Sequence, residues 1–102
     1  MPRKTNWTVT FSNQAQKQQK NLPKKITALF HALIADLEDN GPEARSWKNY
    51  GKIVSKKNLY HCHLKTGRPT YVAVWKWDSE KIQVLEIRYV GTHEGIDYKR
   101  IE

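Results

Sequence analysis

The stretch YHCHLKTGRPTYVAVWKWDSEKIQVLEIRYVGTHEGIDY, running from Tyr60 to Tyr98, decides how this chain folds. It divides into three runs rich in β-branched and aromatic residues, Tyr60 to Lys65, Tyr71 to Trp77 and Ile82 to Val90. The groups between them, Thr66-Gly67-Arg68-Pro69 and Asp78-Ser79-Glu80, are turn formers, so the segment reads as three strands joined by short turns. Successive strand side chains point to opposite faces, which puts Tyr60, Cys62 and Leu64 on one face of the first strand and His61, His63 and Lys65 on the other. The same alternation places Leu85, Ile87 and Tyr89 on one face of the last strand and Val84, Glu86 and Arg88 on the other. That strand ends in Gly91-Thr92-His93-Glu94, followed closely by Tyr98, and the His61/His63 row is expected to face this second cluster across the sheet.

Upstream, Trp7 to Phe11 (WTVTF) alternates in the manner of a half-buried strand. Ser12 and Asn13 both offer helix caps; with Asn13 as cap, Gln16 falls at the third helical position of a short polar helix reaching Asn21. That helix is poorly amphipathic, with only Ala15 and Leu22 plainly apolar, and must lean on its neighbour. Pro23 suits the first turn of a second helix, along which Ile26, Leu29, Phe30, Leu33, Ile34 and Leu37 recur at the spacing of one helical face. His31 lies off that stripe and is expected at the surface. Asn40-Gly41-Pro42 stops the helix, glycine taking the left-handed conformation and proline preventing continuation. The expected order is therefore strand, two helices, three strands: an α+β domain with two N-terminal helices packed on one face of a small antiparallel twisted sheet.

A length of 102 residues predicts one domain, 1–102, and no repeat or linker divides it. No apolar run approaches the roughly 20 residues of a membrane span. The N-terminal MPRKTNWTV has no apolar segment of the secretory kind, and the single cysteine has no internal disulfide partner, so a cytoplasmic protein is expected. Lysine and arginine outnumber aspartate and glutamate by 18 to 10, a net charge of +8 that favours a polyanionic partner, nucleic acid above all. Between Glu43 and Asn58, Arg45, Lys48, Lys52, Lys56 and Lys57 interleave with Trp47 and Tyr50, a pattern that suits a phosphate backbone with stacked bases. It equally suits a loop pinned against the helix by its aromatics, the reading preferred for Trp47. Lys56 and Lys57, with Lys65 and Arg88, are the candidate substrate-binding cations.

The chemistry concentrates in the sheet half. His61, His63 and His93 exchange protons near neutrality, and Arg68 carries a permanent charge that grips phosphate bidentately. Those are the parts of a ribonuclease that needs no metal: a base for the ribose 2′-OH, a cation for the phosphate and an acid for the 5′ leaving oxygen. Zinc competes for the same side chains, but Cys62 points away from its histidine neighbours and no second cysteine completes a usual ligand set, so neither metal nor other cofactor is expected. Cys62, on the Tyr60 and Leu64 face, reads as a small buried apolar residue.

The order of elements, the run YHCHLKTGRPTYVAVWKW and the ending YVGTHEGIDY resemble the RelE/ParE superfamily of bacterial toxins, in its RelE-like and HigB-like branch of messenger-RNA interferases. The likeness spans about Trp7 to Tyr98. It implies the toxin of a toxin–antitoxin system that enters the ribosomal A site, contacts ribosomal RNA there, cuts messenger RNA and is held inactive by a cognate antitoxin. By position, the catalytic set would be His61, His63, Arg68, His93 and Tyr98, with Lys65 as a further phosphate-binding cation and Tyr98 stacking on a base or taking part in proton transfer. This chain carries histidines where well-known relatives use lysines and arginines, which points to acid–base chemistry. The alternative within the superfamily is a non-catalytic toxin of the gyrase-inhibiting kind, acting through protein contacts alone.

Overall fold

The computed structural model describes residues 7–53, 58–77, 83–97 and 101. The chain runs β1 (Thr8–Phe11), α1 (Asn13–Gln19), α2 (Lys24–Asn40), β2 (Lys48–Lys52), β3 (Leu59–Lys65), β4 (Tyr71–Lys76) and β5 (Val84–Thr92). Among the described residues these strands form one five-stranded sheet in the order β1-β5-β4-β3-β2. The α+β class expected from the sequence is the one observed. Two features go beyond it. The segment after α2 is not only a pinned loop: Lys48–Lys52 adds an edge strand antiparallel to β3. The sheet is also mixed, since β1 runs parallel to β5, Thr8 opposite Val84 and Phe11 opposite Ile87.

Both helices cover one face. α2 buries Ile26, Phe30, Leu33 and Leu37, the stripe read from its periodicity, against Cys62, Leu64, Ala73, Trp75, Leu85, Ile87 and Val90 of the sheet. Trp75 is fully buried, and its indole N–H donates to the Pro42 carbonyl at 3.0 Å, so a large apolar surface is buried with its one polar atom satisfied. Trp47 follows the pinned-loop reading: its Nε1 donates to Asp36 of α2 at 3.0 Å. Gly41 ends α2 at φ +90°, where a side chain would be strained, and a Cβ there would stand 2.8 Å from Trp7 Nε1. His31 is exposed, as expected.

α1 shows how a nearly all-polar helix is held. Ser12, not Asn13, is its cap, the Oγ accepting from Ala15 N at 3.1 Å. Only Ala15 is buried, but Gln18 Oε1 accepts from Val90 N at 3.0 Å and Ser12 N donates to the Ile87 carbonyl at 2.9 Å. Those sheet groups flank an irregularity: β4 pairs Val74 with Tyr89 but Trp75 with Ile87, leaving Arg88 as the extra residue of a bulge. The polar helix thus caps the backbone of a disrupted ladder, which an apolar helix could not do.

The bulge also corrects the strand reading. Leu85 and Ile87 face the helices, but after Arg88 the alternation shifts, and Tyr89 packs on the other side with Ile53, Leu59, Val72, Val74, Ile96 and Ile101. This second cluster forms the floor beneath the histidine row. Among the described residues no helix is long and apolar enough to cross a membrane.

Candidate active site

His61 and His63 stand on β3 on the face away from the helices, as their alternation with the buried Cys62 requires. The sheet register sets what surrounds them. His61 lies between Gly51 of β2 and Val74 of β4, and His63 between Lys48 and Val72, with Gly91 beyond Val72 on β5. β5 continues to Thr92, two residues past the expected end, and delivers His93 at the same end of the sheet. The rings of His61 and His63 have centroids 6.1 Å apart, and those of His63 and His93 are 5.7 Å apart in an edge-to-face arrangement. Three imidazoles from two strands therefore meet, with His63 in the middle.

The backbone fixes His93 although its side chain is exposed. His93 N donates to the Thr70 carbonyl at 2.7 Å, while Gly95 N donates to Thr92 Oγ1 at 3.1 Å. Tyr89 reaches the same turn from the floor, its hydroxyl donating to the Thr92 carbonyl at 2.7 Å. Gly91 and Gly95 leave room for this: a Cβ would stand 3.0 Å from the Tyr89 hydroxyl at the first and 2.8 Å from Thr92 Oγ1 at the second. The turn carrying Arg68 is joined to the His93 turn through Thr70, whose Oγ1 donates to the Gly67 carbonyl at 2.9 Å. Arg68 is exposed in that turn.

The two β3 histidines are held differently, both by β2. His61 Nδ1 donates to the Gly51 carbonyl at 3.0 Å. Asn49 Nδ2 lies 2.9 Å from His63 Nδ1 and 3.5 Å from its Nε2, so the amide sits against the ring. Partial burial, then the charges of His61 and His93, push the His63 pKa below the ordinary histidine value. Next to them, Cys62 is fully buried on the opposite face; burial, reinforced by Asp36, pushes its thiol up to about 12, which makes it a packing residue and a poor nucleophile.

Of the remaining sequence candidates, Lys65 and Arg88 are among the described residues. The pairing shifts between His63, opposite Val72, and Lys65, opposite Tyr71, so the alternation that would keep Lys65 in the histidine row is broken. Lys65 is exposed at the strand end. Arg88 is engaged in the fold: it pairs with Glu86, and its Nη1 donates to the Ile101 carbonyl at 3.3 Å. Tyr98, Lys56 and Lys57 lie outside the described residues. Asn49, Gly51, Thr70 and Tyr89 were not picked out from the sequence as site residues, because their part is to orient others. Among the described residues no group of three or more His, Cys, Asp or Glu side chains is arranged to hold a metal ion.

No family model matches the sequence, and no curated protein does. Solved structures do match. The Escherichia coli toxin RelE, a mutant in the free state, superposes with a TM-score of 0.72 over 95% of each chain at 14% identity. This chain has the RelE-like fold. The YoeB dimer from Staphylococcus aureus matches with a TM-score of 0.69 over 87% of this chain and 99% of that one, at 18% identity. The toxin–antitoxin complex RelBE2 from Mycobacterium tuberculosis matches with a TM-score of 0.54 over 91% and 98% of the two chains, at 15% identity. The fold implied by the YHCHLK and YVGTHE motifs is thus the RelE-like one observed. In RelE-like terms, the three imidazoles occupy the face of the sheet that the helices leave open.

Proposed function

We propose that this chain is the toxin of a toxin–antitoxin pair and an endoribonuclease that cleaves messenger RNA on the ribosome. The observation that carries the reading is the row of His61, His63 and His93, successive rings 6.1 and 5.7 Å apart, on the open face of a RelE-like sheet. One β3 imidazole takes the proton of the ribose 2′-OH as the oxygen attacks the adjacent phosphorus. The bond from phosphorus to the 5′ oxygen breaks, and His93 gives that oxygen a proton, leaving a 2′,3′-cyclic phosphate, which can open to a 3′-phosphate, and a 5′-OH. Arg68, in the turn tied to His93, holds the phosphate as its charge develops. Tyr98 is assigned to position the nucleotide, and Lys65, Lys56 and Lys57 to the flanking backbone. A net charge of +8 supports an RNA partner and, in trans, an acidic antitoxin segment folding against the domain.

The test is to map RNA ends after brief induction of the wild type and of His93→Ala. Wild-type cells should accumulate 5′-OH ends within coding sequences, and His93→Ala should yield none while still binding the product of the adjacent reading frame. An oligonucleotide with 2′-deoxyribose at the cut position should be inert, because the nucleophile is missing. DNA damage before any loss of messenger RNA, or full toxicity of His93→Ala, would overturn the assignment.

A further inference from the structure

The charges of α2 are arranged against the helix's own dipole. A helix carries partial positive charge at its N-terminus and partial negative charge at its C-terminus, so acidic residues suit the first turn and basic residues the last. α2 opens on Lys24 and Lys25 with no acidic residue in its first turn, and closes on Glu38, Asp39 and Asn40 with no basic residue in its last. That order weakens the helix that carries it, and a neighbouring helix of opposite direction with the same order offsets the loss. We propose that the outer face of α2 is the contact between two copies of this chain, paired antiparallel about a two-fold axis near His31 and Ala32.

The face is exposed and self-complementary. Ile26, Phe30, Leu33 and Leu37 turn inward, which leaves Lys24, Ala28, Ala32, Ala35 and Asp39 along the outer line of the helix, three or four residues apart and all exposed. Read from the other end with the charges exchanged, this line is the same: Lys24 mirrors Asp39, and Ala28 mirrors Ala35, about the midpoint between His31 and Ala32. A two-fold axis at that midpoint sets Lys24 of each copy against Asp39 of the other, along a helix of 17 residues, about 25 Å. On one flank Lys25 meets Asp36, whose carboxylate is held by Asn40 Nδ2 at 2.6 Å and Trp47 Nε1 at 3.0 Å. The alanines carry no attraction of their own; they lower the seam so that the two backbones approach and the charged ends reach each other. Parallel pairing would set lysine on lysine and acid on acid, so the charges select direction as well as partner.

The same charges disfavour other occupants. A net charge of +8 suits nucleic acid, but Asp36, Glu38 and Asp39 at one end of this face would repel a phosphate backbone laid along it, and an acidic protein segment would meet the same end. A second copy presents both signs in the order required, and its helix dipole runs the opposite way as well. One helix pair is a smaller contact than the roughly 1,600 Å² of a standard stable interface, so the dimer is weak and depends on concentration. α2 lies on the face of the sheet opposite the histidines, so both histidine rows stay open in the pair. Pairing through α2 holds whether or not the chain cuts RNA.

The experiment is sedimentation equilibrium of the full chain from about 5 to 500 µM, in low salt and in about 1 M salt, for the wild type, Lys24→Glu, Asp39→Lys and the double variant. In low salt the wild-type mass should rise with concentration from 12.0 kDa toward twice that, and in high salt it should fall back. Either single change sets like charges together at both ends of the seam and should weaken the dimer by about tenfold or more. The double variant exchanges the charges and should restore it, which parallel pairing would not allow. Lys24→Glu gives α2 a charge that suits its dipole, so that variant should melt no earlier than the wild type, and its lost dimer is then not a matter of unfolding. A wild type that stays at 12.0 kDa throughout, single variants that associate as tightly as the wild type, or a double variant no better than the singles overturns the proposal. So does a monomeric wild type whose Lys24→Glu variant loses the product of the adjacent reading frame, which would give the face to that partner.

Discussion

Tyr89 and Gly91 make the geometry of the His93 turn testable through stability. A methyl group at position 91 would stand 3.0 Å from the Tyr89 hydroxyl and 3.2 Å from its Cζ, closer than carbon contacts normally come. The ring cannot simply retreat, because its hydroxyl is held 2.7 Å from the Thr92 carbonyl. Gly91→Ala should therefore cost about 1–3 kcal/mol, the usual penalty for overpacking. At about 4–8 °C per kcal/mol for a domain of this size, Tm should fall by roughly 5–20 °C. Tyr89→Phe removes one hydrogen bond and should cost about 1 kcal/mol. In the double variant the closest contact is gone and the ring is untethered, so the combined loss should fall short of the sum by at least about 0.5 kcal/mol. Urea unfolding of the four proteins closes this cycle, and RNA cleavage by each reports whether the turn still presents His93. Additivity of the two stability losses would refute the idea that the hydroxyl is what confines position 91.

The lowered His63 pKa has a definite sign in stability. The unfolded chain takes up its proton as pH falls through about 6.5, while folded His63 resists it, so this contribution is present above that pH, fades as pH drops, and levels off below the folded-state pKa. His63→Gln should show a shallower loss of stability between pH 7.5 and 5 by urea midpoint; equal slopes would contradict the shift. Cys62, buried and with its thiol pushed up to about 12, should resist alkylation in the native protein and react on unfolding, which mass spectrometry after iodoacetamide can follow. Gly41→Ala should lose about 1–3 kcal/mol from its φ of +90°, and more from the collision with Trp7, measured as a drop in urea midpoint.

The sequence made legible what depends on local pattern. The α2 stripe, the three strands of the second half and the pairing of His61 with His63 on one face all follow from periods of 3.6 and 2. What it hid are places where the period breaks. The bulge at Arg88 moves Tyr89 to the histidine side, the shift beyond His63 takes Lys65 out of the row, and the bulge in β2 turns Asn49 toward His63. Each inserts one residue where partner strands must fit, and nothing within a single strand announces that. β2 itself, KNYGK, is short, polar and at the sheet edge, so it lacks the apolar alternation by which strands are recognised. The positioning residues were missed for the same reason: Asn49 and Thr70 matter for what they touch, not for the chemistry they carry.

The parallel pairing of β1 with β5 sets an order of events during synthesis. Thr8–Phe11 is made before every other strand of the sheet, and its partner, Val84–Ile87, comes some 75 residues later, as the separation of the Thr10 and Leu85 contact shows. Closing so long a loop is slow and gains nothing until both ends exist. A nascent chain interrupted anywhere before β5 therefore has neither the seat for its first strand nor His93, and should lack the RNA cleavage proposed for the whole chain.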